Sequence, residues 1–76
     1  MNVSNGYSAD VRLQLIVGER VFEVEQVLRD TCVLSAPIDH APCDAELVMH
    51  VDGRRRSWSV ALPEGIRSNC PDTRLS

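Results

Sequence analysis

The chain has no lysine; all eight of its basic residues are arginine. Folding does not require this, and a GC-rich coding bias, hence a bacterial source, is the simplest reading. Aromatics are scarce: Tyr7, Phe22 and Trp58 are the whole set, so the core must be built mainly from Val, Leu and Ile. Long apolar runs are missing, and none approaches the roughly 20 residues that span a bilayer. No basic stretch is followed by an apolar one, so no signal peptide is expected. Cysteine is sparse and odd in number, at Cys32, Cys43 and Cys70. A small secreted domain normally carries an even, denser set. The expected compartment is therefore a reducing cytoplasm. Asn2-Val3-Ser4 matches a glycosylation triplet, but no other feature looks secretory.

The chain's 76 residues suffice for one domain. A chain this short buries only about 60% of the surface its unfolded state exposes, so its stability is expected to be modest. The apolar share of 43% is ordinary for a folded protein and too high for a disordered one. The net charge of −3 argues against a general polyanion binder. Its distribution is uneven. Glu19 to Glu46 holds seven acids against two arginines, and Arg54 to Ser76 holds five arginines against two acids. Such a dipolar surface can orient a partner.

Residues 1–10 are mostly small and polar and read as a flexible N-terminal arm. From Val11 the pattern alternates. Val11, Leu13, Leu15 and Val17 point one way; Arg12, Gln14 and Ile16 point the other. A period of two predicts a half-buried strand over 11–17. Gly18-Glu19 then suits a two-residue type II′ turn into a strand over 20–27. That turn sets the register. It opposes Val17 to Arg20, Leu15 to Phe22 and Leu13 to Val24 on the apolar face. Ile16 meets Val21, Gln14 meets Glu23 and Arg12 meets Glu25 on the other. A slip of one residue would scramble both sets.

Leu28-Arg29-Asp30 reads as a bend, and Thr31 to Ser35 as a short third strand. Pro37 and Pro42 make Ala36 to Asp44 a loop, or one holding a single helical turn. Ala45 to Val51 alternates again, and Asp52-Gly53 is the strongest short hairpin signal, of type I′. The register opposes Val51 to Arg54, Met49 to Arg56, Leu47 to Trp58 and Ala45 to Val60. His50 meets Arg55, Val48 meets Ser57 and Glu46 meets Ser59 on a largely polar face. Trp58 thus aligns with Leu47, Val60 and Leu62 and is expected in the core. Pro63-Glu64-Gly65 ends the strand, closing a β domain over 11–65. Residues 66–76 form a tail, in which Thr73 to Ser76 could add an edge strand. The fold class is all-β: a small antiparallel barrel or curled sheet of five to six strands built on two hairpins.

Chemistry-bearing residues are few. Cys32, His40, Cys43 and His50 could be imagined as a zinc set, but zinc prefers close ligand pairs on turns. Only His40 and Cys43 form such a pair; Cys32 and His50 fall inside strands. The same His40–Cys43 pair is too loose a basis for a nucleophile and its base, with no third group to orient it. Glu23 and Glu25 share the outer face of one strand rather than facing each other across a cleft. No catalytic residue, metal or cofactor is expected. The most suggestive feature is Arg54-Arg55-Arg56 with Trp58, since arginines beside an aromatic can grip phosphates and stack a base. Alternation weakens it, because Arg55 lies on the opposite side from Arg54, Arg56 and Trp58.

The order of features over residues 18–62 resembles the small β-barrel of PilZ-type domains. These features are Gly18 and a strand, a break at Arg29-Asp30, a short strand through Leu34, a proline loop, and a hairpin from Ala45 to Leu62. PilZ domains that bind cyclic di-GMP carry R-x-x-x-R and D/N-x-S-x-x-G motifs. Here Asp30-Thr31-Cys32-Val33-Leu34-Ser35 keeps the leading Asp, while Cys32 replaces the serine and Ser35 the glycine. The resemblance therefore implies a degenerate PilZ-like barrel acting through protein contacts, with no binding residue carried over. The expectation is a non-enzymatic domain that binds an unidentified protein, without membrane association, and that can pair edge to edge as a homodimer. Nucleic-acid or nucleotide binding at the Arg54–Arg56 hairpin is the alternative.

Overall fold

The computed structural model describes residues 11–76; the expected arm at 1–10 lies outside them. Six strands form one antiparallel sheet: β1 (Val11–Val17), β2 (Arg20–Val27), β3 (Thr31–Leu34), β4 (Cys43–Val51), β5 (Arg54–Leu62) and β6 (Asp72–Arg74). Their order across the sheet is β5-β4-β1-β2-β3-β6. The described residues contain no helix, and the sheet curls into a half-barrel.

Both hairpins form at the turns that demand them. Gly18 has φ 61°, and Glu19 is not in the positive-φ region, as a type II′ turn requires. Asp52 and Gly53 have φ 50° and 83°, as type I′ requires. The registers follow from these turns: Leu15 opposes Phe22, Leu13 opposes Val24, and Leu47 opposes Trp58. The second hairpin runs further than the alternation suggested, to Cys43 opposite Leu62. The pairing of β1 with β2 stops at Leu13–Val24, and Arg12 does not reach Glu25 as an ion pair. A bulge at Glu25 explains the departure. It shifts the register between Val24 and Gln26, turning β2 away from β1 and onto β3.

The interior face collects Leu15, Val17, Phe22, Val24, Cys32, Leu34, Leu47, Leu62 and Ile66. Fully burying an aliphatic side chain is worth about 1.5–3 kcal/mol, so this cluster is the main source of stability. The loop between β3 and β4 docks on the segment after β5 through a reciprocal pair of backbone bonds, His40 N–H to Ile66 O at 2.8 Å and Ile66 N–H to His40 O at 2.9 Å. Gly65, at φ 68°, permits that contact: a Cβ there would fall 2.8 Å from the Ala41 carbonyl carbon and against the His40 oxygen. The edge strand expected at Thr73 to Ser76 lies instead over Asp72–Arg74 and pairs with β3. Two residues after it, Ser76 bonds to Ala61 of β5 in both directions, at 2.9 and 3.0 Å. The two edges of the sheet thus meet at one point.

Candidate functional site

Beyond the closure at Ala61, none of the described strands lies on the outer side of β5. Arg54 through Ser59 are all exposed, Val60 and Ala61 are partly buried, and Leu62 is buried. At the other end of β1, Val11 pairs with Val51 after β2 has already turned away. The tip of the β4–β5 hairpin and the start of β1 therefore project as a three-stranded arm beyond the sealed core.

This geometry corrects the expectation for Trp58. It lies opposite Leu47 as the register requires, yet it is 44% exposed. Alternation assigned its face correctly, but a face is buried only where something covers it. Trp58 sits on an edge of the described sheet, three residues short of the closing Ala61, with β4 the one described strand beside it. Val48 shows the reverse. It lies on the face expected to be polar, yet is 1% exposed. Its row neighbours are Gln14 and Ser57. Glu46 and Arg55, on either side of that row, meet at 3.7 Å.

Arg54, Arg56 and Trp58 thus share one exposed face with Met49, Val51 and Val11, the last of which is 52% exposed. Arg55 is on the opposite side, engaged with Glu46. The whole hairpin from Cys43 to Leu62 is electrically balanced, with Asp44, Glu46 and Asp52 against the three arginines.

The other candidates separate in space. Cys32 is wholly buried, and burial pushes its thiol up to about 11 from an ordinary 9.0. His50 pairs with Arg55 across the second hairpin. No group of three or more metal-ligating side chains occurs among the described residues. His40 and Cys43 do come together, with Nδ1 3.5 Å from Sγ. The same Nδ1 is 2.7 Å from the Ala41 carbonyl oxygen, which can only accept. Nδ1 must then carry the proton, so it is not a base for the thiol. Glu23 accepts a bond from Gln14 Nε2 at 2.9 Å on the outer surface. An open groove of about 400 Å³ lies beside Arg20, Phe22, Ser35 and Ile38, at a distance in sequence and sheet from the arm.

No protein family, curated protein or solved structure matches the chain. Among the described residues, no helix is long and apolar enough to cross a membrane.

Proposed function

We propose that this chain is a non-catalytic binding domain that contacts another protein through the β4–β5 arm. The supporting observation is the exposure of Trp58 on a face it shares with Val11, Met49 and Val51, beside a strand edge that no described strand covers. Exposed Trp58 and Val11, on a face with half-buried Met49 and Val51 next to a well-sealed core, fit the apolar character of interaction sites. Aromatic and arginine side chains are the residues that most often carry interface energy. The curled all-β sheet is compatible with a small β-barrel-like fold, which suits the reading of a degenerate PilZ-like barrel, and three unpaired cysteines suit a reducing bacterial cytoplasm.

Binding of single-stranded nucleic acid is the second reading. Exposed Trp58 beside Arg56 favours it, because such pairs can stack a base and hold a phosphate. It ranks lower because the hairpin has no net positive charge with which to follow a phosphate backbone.

A photo-crosslinking residue replacing Trp58, in cells of the source organism, discriminates the two. Protein adducts that resist nuclease and vanish with Met49→Glu are expected, with none from the same probe at exposed Val21. RNA adducts, or equal yields at both positions, overturn the protein reading.

A further inference from the structure

Neighbouring residues of a strand direct their backbone N–H and C=O groups to opposite sides. Ala61 directs both of its groups away from β4, because both are bonded to Ser76. Two-residue steps back along β5 place the groups of Ser59, Ser57 and Arg55 on that same open side. All three residues are exposed, and no described strand lies along that open side of β5. An edge of this kind is a template for another strand.

We infer that the occupant is a second copy of this chain, joined β5 to β5 antiparallel about a two-fold axis through Ser57. The inference rests on the protein-contact reading and names the partner. Three neighbouring two-fold registers use the open groups of β5, and the side chains choose among them. Centred on Ser57, the pairs that exchange backbone bonds are Ser57 with the partner's Ser57 and Arg55 with the partner's Ser59. On the exposed apolar face, Trp58 then lies opposite the partner's Arg56, and Arg56 opposite the partner's Trp58. Those are the closer-spaced, non-hydrogen-bonded positions of an antiparallel ladder, where side chains meet most directly. A guanidinium within about 6 Å of an indole face is attracted to it.

The two neighbouring registers fail. Centring on Arg56 sets Arg56 against the partner's Arg56. Centring on Trp58 requires Arg55 to pair with the partner's Ala61, whose groups are taken by Ser76. The arginines thus do two things: they repel a slipped pairing, and in the correct one they cover the exposed tryptophan. The interface is isologous, as a closed two-fold requires.

The test is sedimentation equilibrium on the full chain over a wide concentration range. The expected mass is twice the 8.5 kDa of one chain. Ser57→Pro removes the central outward N–H and should shift the dimer to single chains while keeping a dispersed amide spectrum, since an edge strand tolerates proline on its open side. Register is read independently with Cys43 and Cys70 replaced by serine. Ser57→Cys should form an inter-chain disulfide readily, because opposed residues lie about 5.5 Å apart, within disulfide range. Ser59→Cys should not. A single-chain mass throughout overturns the inference, and so does slow exchange of the Ser57 and Ser59 amides in a monomer, which would mean that the chain covers its own edge. A dimer that cross-links through Ser59→Cys rather than Ser57→Cys also overturns it. If the chain is monomeric but the position-58 probe still captures a different protein, this inference fails and the protein-contact reading stands. If neither occurs, both fail.

Discussion

Ser76 and Ala61 hold each other by two backbone hydrogen bonds, Ser76 N–H to Ala61 O at 2.9 Å and Ala61 N–H to Ser76 O at 3.0 Å. This pair joins the two edges of the sheet and decides where cover ends along β5. Everything on β5 toward the arginines lies outside that closure.

Removing Leu75 and Ser76 should therefore loosen the barrel. Each net hydrogen bond is worth about 0.5–1.5 kcal/mol, and Leu75 also packs against the core. A loss of about 2–5 kcal/mol is expected by urea unfolding, allowing for three bonds, the third from Leu75 N–H to Asp30 O at 2.7 Å, and part of a leucine side chain. An unchanged midpoint would show that the closure is not a stabilising contact.

Gly65→Ala should be among the most damaging single-methyl changes. The left-handed backbone alone costs a non-glycine residue roughly 1–2 kcal/mol. The added carbon would also press on the His40 and Ala41 carbonyl groups and push the proline loop off Ile66. The measurement is the thermal midpoint, with Gly18→Ala for comparison. A Cβ at Gly18 meets nothing within 4 Å, so the smaller drop is expected there.

Thr73 is 1% exposed, and its hydroxyl has no hydrogen-bond partner among the described residues. A buried polar group left unpaired costs about 1–3 kcal/mol. Thr73→Val keeps the shape, removes that cost and should raise stability by about 1 kcal/mol on the same grounds. A destabilised variant would show that the hydroxyl is satisfied in solution.

The three thiols should separate by reactivity. Cys70 is exposed and Cys43 partly buried, so both should react with a thiol reagent in the native protein. Cys32 should react only on unfolding. Burial favours its protonated form, so the folded chain holds that proton more tightly than the unfolded one. The corresponding stability is full below pH 9 and is lost as pH rises from about 9 through about 11. Cys32→Ala should flatten the alkaline limb of a stability–pH curve over that window.

Local chemistry made the hairpins legible. Gly18 and Asp52-Gly53 each admit one favoured turn, and each turn fixes which residues oppose, so the pairs Leu15–Phe22 and Leu47–Trp58 followed from sequence. Pairings between distant segments left no such mark. Nothing near Gln14 says that it will lie beside Val48, or near Thr73 that it will lie beside Cys32. That is why Trp58 is exposed where alternation predicts burial. Alternation reports a face, but burial depends on strands that arrive from elsewhere. The bulge at Glu25 was equally silent, and it is what withdraws β2 from the arm. The arginine–tryptophan cluster was visible in the sequence; its exposure was not.

The three residues of β6 have a consequence that comes from counting. Every neighbouring pair in the sheet is antiparallel, so chain direction reverses at each step around it. With an even number of strands, the last meets the first running the opposite way, and Ser76 can engage Ala61 by ordinary reciprocal bonding. Without β6 the number is odd. β3 would then arrive beside β5 pointing in the same direction, where the bonds slant and the reciprocal pair cannot form. Deleting this short strand therefore cannot be absorbed by drawing the ring tighter, because the remaining edges are mismatched in parity.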